Sequence, residues 1–121
     1  MKKFLVVVAV LMAIVTGCSK DEASYETIAL DEVVGQQEQG ALVVDVRETD
    51  EYAAGHIPGA MNKPLSELSE GNFDDLDLEQ KYVIVCQSGN RSKQASDILD
   101  KEGYQVTNVG QGMSSWTGSI E

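Results

Sequence analysis

The chain has 121 residues, room for one domain with a modest core, and its 42% apolar content is ordinary for a globular fold. Nine basic against twenty acidic residues give a net charge of −11, which argues against nucleic acid as a partner and against a domain lying flat on an anionic membrane; small or neutral partners fit better. In chain order, Met1-Lys2-Lys3 is a charged start and Phe4 to Val15 an unbroken apolar run of twelve residues, the pattern of an export signal. At about 1.5 Å per residue the run covers ~18 Å, short of the ~30 Å hydrocarbon core, so a removed leader is favoured over a permanent span.

Val15-Thr16-Gly17-Cys18 resembles the lipobox of bacterial lipoproteins. The resemblance implies cleavage before Cys18 and a diacylglyceryl group on its sulfur. The expected organisation is a leader over 1–17, a lipidated Cys18 with a short polar tether over 18–24, and one folded domain over 25–121. The other reading is an ordinary cleavable signal that leaves Cys18 as a free or disulfide-forming thiol. A thioether-blocked Cys18 cannot bridge to Cys86, and the folded part then holds a single cysteine. With Lys2 and Lys3 removed, seven basic residues face twenty acidic ones, net −13. The expected location is the extracytoplasmic face of a bacterial membrane, the domain held by its lipid and repelled by anionic headgroups.

Past the tether, 23–28 reads as a short edge strand and 30–39 as one helix stopped by Gly40. Ala41 to Val46 is a continuous apolar run broken only by Asp45, a strand buried on both faces as in a covered parallel sheet. Residues 48–54 fit a short helix closed by Gly55, His56 to Ala60 is turn chemistry, and 60–62 is a short extended piece. Pro64 opens a helical turn through Leu68, and the acidic stretch from Glu70 to Gln80 is expected to be a solvated loop. Lys81 to Val85 is a second buried strand ending at Cys86. From about Asn90 the spacing of Ala95, Ile98 and Leu99 predicts a helix stopped by Gly103. A third strand over 104–109, the turn Gly110-Gln111-Gly112 and a short helix over 113–116 complete the chain. Strands alternating with helices predict an α/β domain with a mainly parallel sheet.

In such a sheet ligands bind beyond the carboxyl ends of the strands, and Cys86 sits at a strand-to-helix handover. Gln87-Ser88-Gly89-Asn90 carries no bulky side chain, so several amides can turn toward a common centre, with the N-terminus of the next helix aimed at the same point. A thiol there is held as thiolate by the helix end, the loop amides and Arg91, which lowers a cysteine pKa from about 8.5 into roughly 3.5–7.5. The alternative is a cysteine packed as a small hydrophobe, with Arg91 merely solvated.

Three motifs in order, Asp45-Val46-Arg47-Glu48 with Glu51-Tyr52 and Gly55-His56-Ile57-Pro58-Gly59-Ala60, then Cys86-x4-Arg91-Ser92, then Asn108-Val109-Gly110-Gln111-Gly112-Met113 with Trp116, resemble the rhodanese-like sulfurtransferases over about 25–116. Gln111 stands where that family usually has a second glycine. The resemblance implies a five-stranded parallel sheet with helices on both faces and a catalytic Cys86 that accepts a sulfane sulfur. A donor such as thiosulfate would release sulfite, and cyanide or a thiol would take the sulfur from the Cys86 persulfide. Neither metal nor organic cofactor is implied.

Several roles stay open between chemistry and scaffolding. Arg91 either binds an anionic donor and holds the loop or makes a structural ion pair with an acid. Gln87, Ser88, Gly89 and Asn90 are expected to supply backbone N–H groups, and Ser92 to cap the helix. His56, the single histidine, is expected to fix its turn rather than act as a base. Asp45 and Arg47 are expected to pair with each other, with Arg91 or with Asp50 beneath the site. Trp116 and Met113 are expected in the core or a pocket wall. Rival functions are a non-catalytic binding or sulfide-sensing module, favoured by the uncharged loop, and a related phosphatase or arsenate reductase, whose cysteine loop is one residue longer. A monomer is the default for a tethered domain of this size.

Overall fold

The computed structural model describes residues 24–121; the leader and Cys18 lie outside the described residues. Five parallel strands, β1 (Thr27–Ile28), β2 (Leu42–Asp45), β3 (Met61–Asn62), β4 (Lys81–Val85) and β5 (Gln105–Val109), form one sheet in the order β1-β5-β4-β2-β3. Four helices connect them: α1 (Val33–Glu38), α2 (Thr49–Ala54), α3 (Leu65–Ser69) and α4 (Asn90–Lys101). The expected five-stranded parallel α/β architecture is the observed one.

The period of two along the strands sorts the apolar residues into two cores, one on each face. Val43, Val83, Val85 and Val109 join Leu30, Val33 and Ile57 on one side. Val44, Tyr82, Ile84 and Val106 join Leu68, Ala95 and Leu99 on the other. On α4 the buried stripe is Ser92, Ala95, Ser96 and Leu99, three of them small, which lets the helix lie close to the sheet. The helix stops at Gly103 as expected: the Gly103 amide donates to Asp100 and the Tyr104 amide to Leu99, both at 3.0 Å, the reverse-turn closure that a C-terminal glycine supports.

The structure differs from the sequence reading at five places. The first helix is a 3-10 turn over Leu30–Glu32 followed by the shorter α1, because the Glu32 carboxylate folds back to the Ala29 amide at 2.9 Å and tightens the first turn. The edge strand is only two residues long, since Ser24 and Tyr25 turn their side chains to Asp100 and Asp97 of α4 instead of extending the ladder. Leu42 is exposed, so β2 is buried on both faces only from Val43 onward. The acidic segment exposes its carboxylates yet is anchored by Phe73 and Leu76 against the α4-side core, and by the Asp77 amide donating to the Tyr82 hydroxyl at 2.7 Å. The last helix is a single 3-10 turn over Met113–Ser115.

Candidate functional site

Tyr82 and Ile84 face α4, and Cys86 continues their alternation one step past the end of β4, so the strand's own period places the thiol beneath the first turn of that helix. Cys86 is fully buried. Its carbonyl accepts from the Met113 amide at 2.8 Å, and the Gln87 carbonyl from the Ser114 amide at 3.0 Å, which ties the cysteine loop to the turn after β5. Two glycines make this contact possible. Gly112 lies so close that a Cβ there would sit 2.2 Å from the Gln87 carbonyl carbon, and at Gly89, where φ is +102°, a Cβ would sit 2.4 Å from the Gly110 oxygen.

The Gly89 amide donates to Sγ of Cys86 at 3.1 Å. Burial pushes the thiol pKa up, but the Ser92 hydroxyl and the amides of Ser92, Gly89 and Ser88 outweigh it, and the net displacement is downward. A lowered thiol pKa and full burial therefore coexist at this residue. Ser92 does not cap the helix, contrary to expectation: the cap position is held by Gly89 in the left-handed conformation, and Ser92 lies in the first turn. Its hydroxyl is 3.2 Å from both the Gly89 and Val109 carbonyls, close enough to the sulfur to give its one proton to a thiolate instead. Asn90 opens α4, its carbonyl accepting from Gln94 at 3.5 Å.

Arg91 is engaged elsewhere. Its two terminal nitrogens donate to the two carboxylate oxygens of Glu51 at 2.6 and 2.9 Å, a bidentate pair with both side chains 31% exposed. The Arg91 guanidinium holds the Glu51 carboxyl down at about 2, and Glu51 in turn raises Arg91. Of the two roles left open for Arg91, the geometry is that of an ion pair with an acid at the rim of the loop.

Beneath the loop, Asp45 and Arg47 pair with each other, at 3.0 Å from Nε and 2.8 Å from Nη2, and neither Arg91 nor Asp50 joins them. Arg47 also donates to the Gly55 carbonyl at 2.8 Å and to the Gln87 side chain at 3.2 Å. Gln87 thus contributes its side-chain oxygen to the scaffold as well as its backbone. The pair is buried and each nitrogen of the guanidinium has a hydrogen-bond acceptor, the condition under which a desolvated ion pair is tolerated. His56 stacks on Tyr52 with ring centroids 3.7 Å apart, places Nδ1 2.8 Å from the Tyr52 carbonyl and exchanges two backbone bonds with Glu121. None of its hydrogen bonds reaches the cysteine loop, and among the described residues no histidine or carboxylate hydrogen-bonds to the sulfur.

Glu51, Asn62 and the amides of Met113 and Ser114 are structural partners that sequence reasoning missed. Glu51 lies in the first quoted motif, yet nothing in the linear order links it to an arginine forty residues on. Asn62 donates to the Asp45 and Arg47 carbonyls at 2.9 Å from an otherwise featureless edge strand. Gln111 needs no glycine conformation, since Asp75 is the one non-glycine residue with positive φ among those described; its side chain instead accepts from the Leu30 amide at 3.2 Å.

A cavity of about 360 Å³ lies beside the loop, bounded by Arg47, Glu51, Gln87, Met113, Trp116 and Ile120. A slightly larger one of about 410 Å³ lies across Trp116, against Leu30, Val34 and Gln111, away from the sulfur. Trp116 is therefore a wall between two cavities, and Met113 packs against the neighbouring core. The arrangement suits nucleophilic chemistry at a sulfur ringed by N–H and O–H donors.

A family model described as "Rhodanese-like domain" matches residues 29–119. The "putative sulfur carrier protein YrkF" of Bacillus subtilis is 41% identical over 80 residues; the match covers 65% of this chain and 43% of that protein, so the chain spans under half the length of this relative. The "putative sulfurtransferase YtwF" of the same organism is 37% identical over 95 residues, covering 78% of this chain and 90% of the relative. Among solved structures, a rhodanese-related protein from Thermoplasma volcanium superposes with a TM-score of 0.72 at 31% identity, covering 80% of this chain and 98% of that one.

Proposed function

The chain belongs to the rhodanese-like family, and on that premise we propose that it is a sulfurtransferase working through a persulfide on Cys86. The observation that carries this reading is the Gly89 amide 3.1 Å from Sγ, reinforced by the donors of Ser88 and Ser92 that draw the thiol pKa down. The thiolate attacks the outer sulfur of a donor such as thiosulfate, the S–S bond of the donor breaks, and sulfite leaves with the bonding electrons. The loop donors that held the thiolate then hold the terminal sulfur of the persulfide, an electrostatic preorganisation that needs no acid or base. A thiol or cyanide takes that sulfur and restores the thiolate. Arg47, Asp45 and His56 serve as scaffold, and Gln87 to Ser92 as the sulfur-binding loop.

Incubation with excess thiosulfate should add about 32 Da to Cys86, one sulfur atom, on the wild type and nothing to Cys86→Ser, with thiosulfate:cyanide transfer lost in the same variant. A second reading, a non-catalytic module that binds small sulfur species, draws on the pairing of both nearby arginines with carboxylates. Absence of any persulfide with any donor would select it. We further propose that the domain is exported and anchored by lipid at Cys18, on the strength of the apolar run and the Val15-Thr16-Gly17-Cys18 motif.

A further inference from the structure

Two arginines and three carboxylates stand around the cysteine loop. Arg47 is consumed by Asp45 and Arg91 by Glu51, and Glu48 adds a further negative charge that acts on Arg91. Glu51 also lines the cavity beside the loop, together with Arg47, Gln87 and Thr117 on its polar side and Ala54, Met113, Trp116 and Ile120 on its apolar side. A donor approaching Cys86 through that cavity meets apolar surface on one side, an ionised acid, and an arginine already paired with Asp45; among the described residues no unpaired cation lines it. The whole chain, at −11, repels anions in addition.

We infer that Glu51 is a specificity-determining residue: by occupying Arg91 and presenting its own charge to the cavity, it selects sulfane-sulfur donors of low charge with an apolar substituent over dianions. The inference rests on the sulfurtransferase reading and narrows its donor class to alkyl thiosulfonates and organic persulfides. Glu51 does not touch the reacting atoms; it acts through Arg91 and through the field in the cavity. Its carboxyl, held down at about 2, stays ionised throughout the physiological range.

The chemistry of the step is the same for both donor classes, which makes charge the variable. The Cys86 thiolate attacks the outer sulfur of methanethiosulfonate, the donor's S–S bond breaks, and methanesulfinate leaves with the electron pair. With thiosulfate the identical displacement expels sulfite. The two donors differ by a methyl group in place of one charged oxygen. In both, the product is the Cys86 persulfide and no net oxidation occurs.

The test compares kcat/KM for thiosulfate and methanethiosulfonate, with cyanide as acceptor, in the wild type, Glu51→Gln and Glu48→Gln. Glutamine keeps an oxygen for the Glu48 amide, which Glu51 now accepts at 3.1 Å, so α2 keeps its first turn. In Glu51→Gln the thiosulfate value should rise about tenfold relative to methanethiosulfonate, the scale expected for one unit charge next to a guanidinium. Glu48→Gln removes an equal charge from the cap of the same helix without freeing Arg91 and should move the ratio by less than about threefold. The ratio is the readout because damage to the fold or to Cys86 lowers both values together. In a measurement without mutation, added salt should raise the wild-type thiosulfate rate more than the methanethiosulfonate rate. An unchanged ratio in an active Glu51→Gln enzyme, or an equal shift from Glu48→Gln, overturns the assignment of Glu51. If neither donor leaves sulfur on wild-type Cys86, the sulfurtransferase reading falls first, a result distinct from both.

Discussion

Cys86 carries two opposed demands, burial and ionisation, and the geometry meets them chiefly with hydrogen bonds, the charge of Arg91 adding a lesser attraction. Arg91, the cation nearest in sequence, spends its two terminal nitrogens on Glu51, so the thiolate depends on the Ser92 hydroxyl and on amides. Alkylation of Cys86 should accordingly titrate with a midpoint below that of an ordinary thiol near 8.5. Ser92→Ala should raise that midpoint, because the thiolate loses a donor while the neutral thiol loses little; an unmoved midpoint would count against the donor ring. The Glu51 carboxyl titrates at about 2 against an ordinary 4.5. Its folded pKa is depressed, so the stability it contributes is present above about 4.5 and is lost as the pH falls toward about 2. The stability difference between wild type and Glu51→Gln should be flat at neutral pH and close across that window, followed by chemical denaturation. The pair is partly exposed, which keeps the difference small.

At the scale of elements, the loop after β4 and the turn after β5 are held together by two backbone hydrogen bonds and two glycines. Gly112→Ala forces a methyl group into the Gln87 carbonyl, and the backbone there has no freedom to retreat. It should cost at least about 3 kcal/mol and displace the amides that face the sulfur, so that denaturant midpoint and transfer rate fall together. Leu99→Ala separates the two effects. Leu99 is fully buried between α4 and the sheet, and its truncation should cost about 3 kcal/mol, read as a lower urea midpoint at unchanged slope. The rate of the folded fraction should stay near wild type, since the first turn of α4, not its middle, faces Cys86.

Over the whole molecule, the chain enters the described domain at the end of α4 remote from the sulfur. Ser24 is fixed to Asp100 near the C-terminal end of α4, while Cys86 lies under that helix's N-terminal end, ten residues or about 15 Å away. Full-length protein should sediment with membranes, resist high salt and be released by detergent, and Cys18→Ala should move it to the soluble fraction. Recovery of the unmodified full-length chain as soluble protein would remove the anchor from the account. Cys86 is the free thiol of the described domain, so its recovery from oxidation should require an external thiol, measured as return of activity after mild peroxide.

The linear chain was enough to read the architecture, because β4 and the glycine-stopped α4 announce themselves through unbroken apolar runs and helical spacing. It also located Cys86, which inherits its direction from the alternation of Tyr82 and Ile84. Contacts between distant segments were illegible: Arg91 with Glu51, Gln87 with Arg47, and the Met113 amide with the Cys86 carbonyl. Which acid pairs with which arginine is a matter of a few ångströms between elements, and local pattern does not encode it. Sequence therefore determined where the candidate cysteine stands and on what fold, while tertiary packing decided which charges remain free around it, since electrostatic pairing depends on distance in space rather than on separation along the chain.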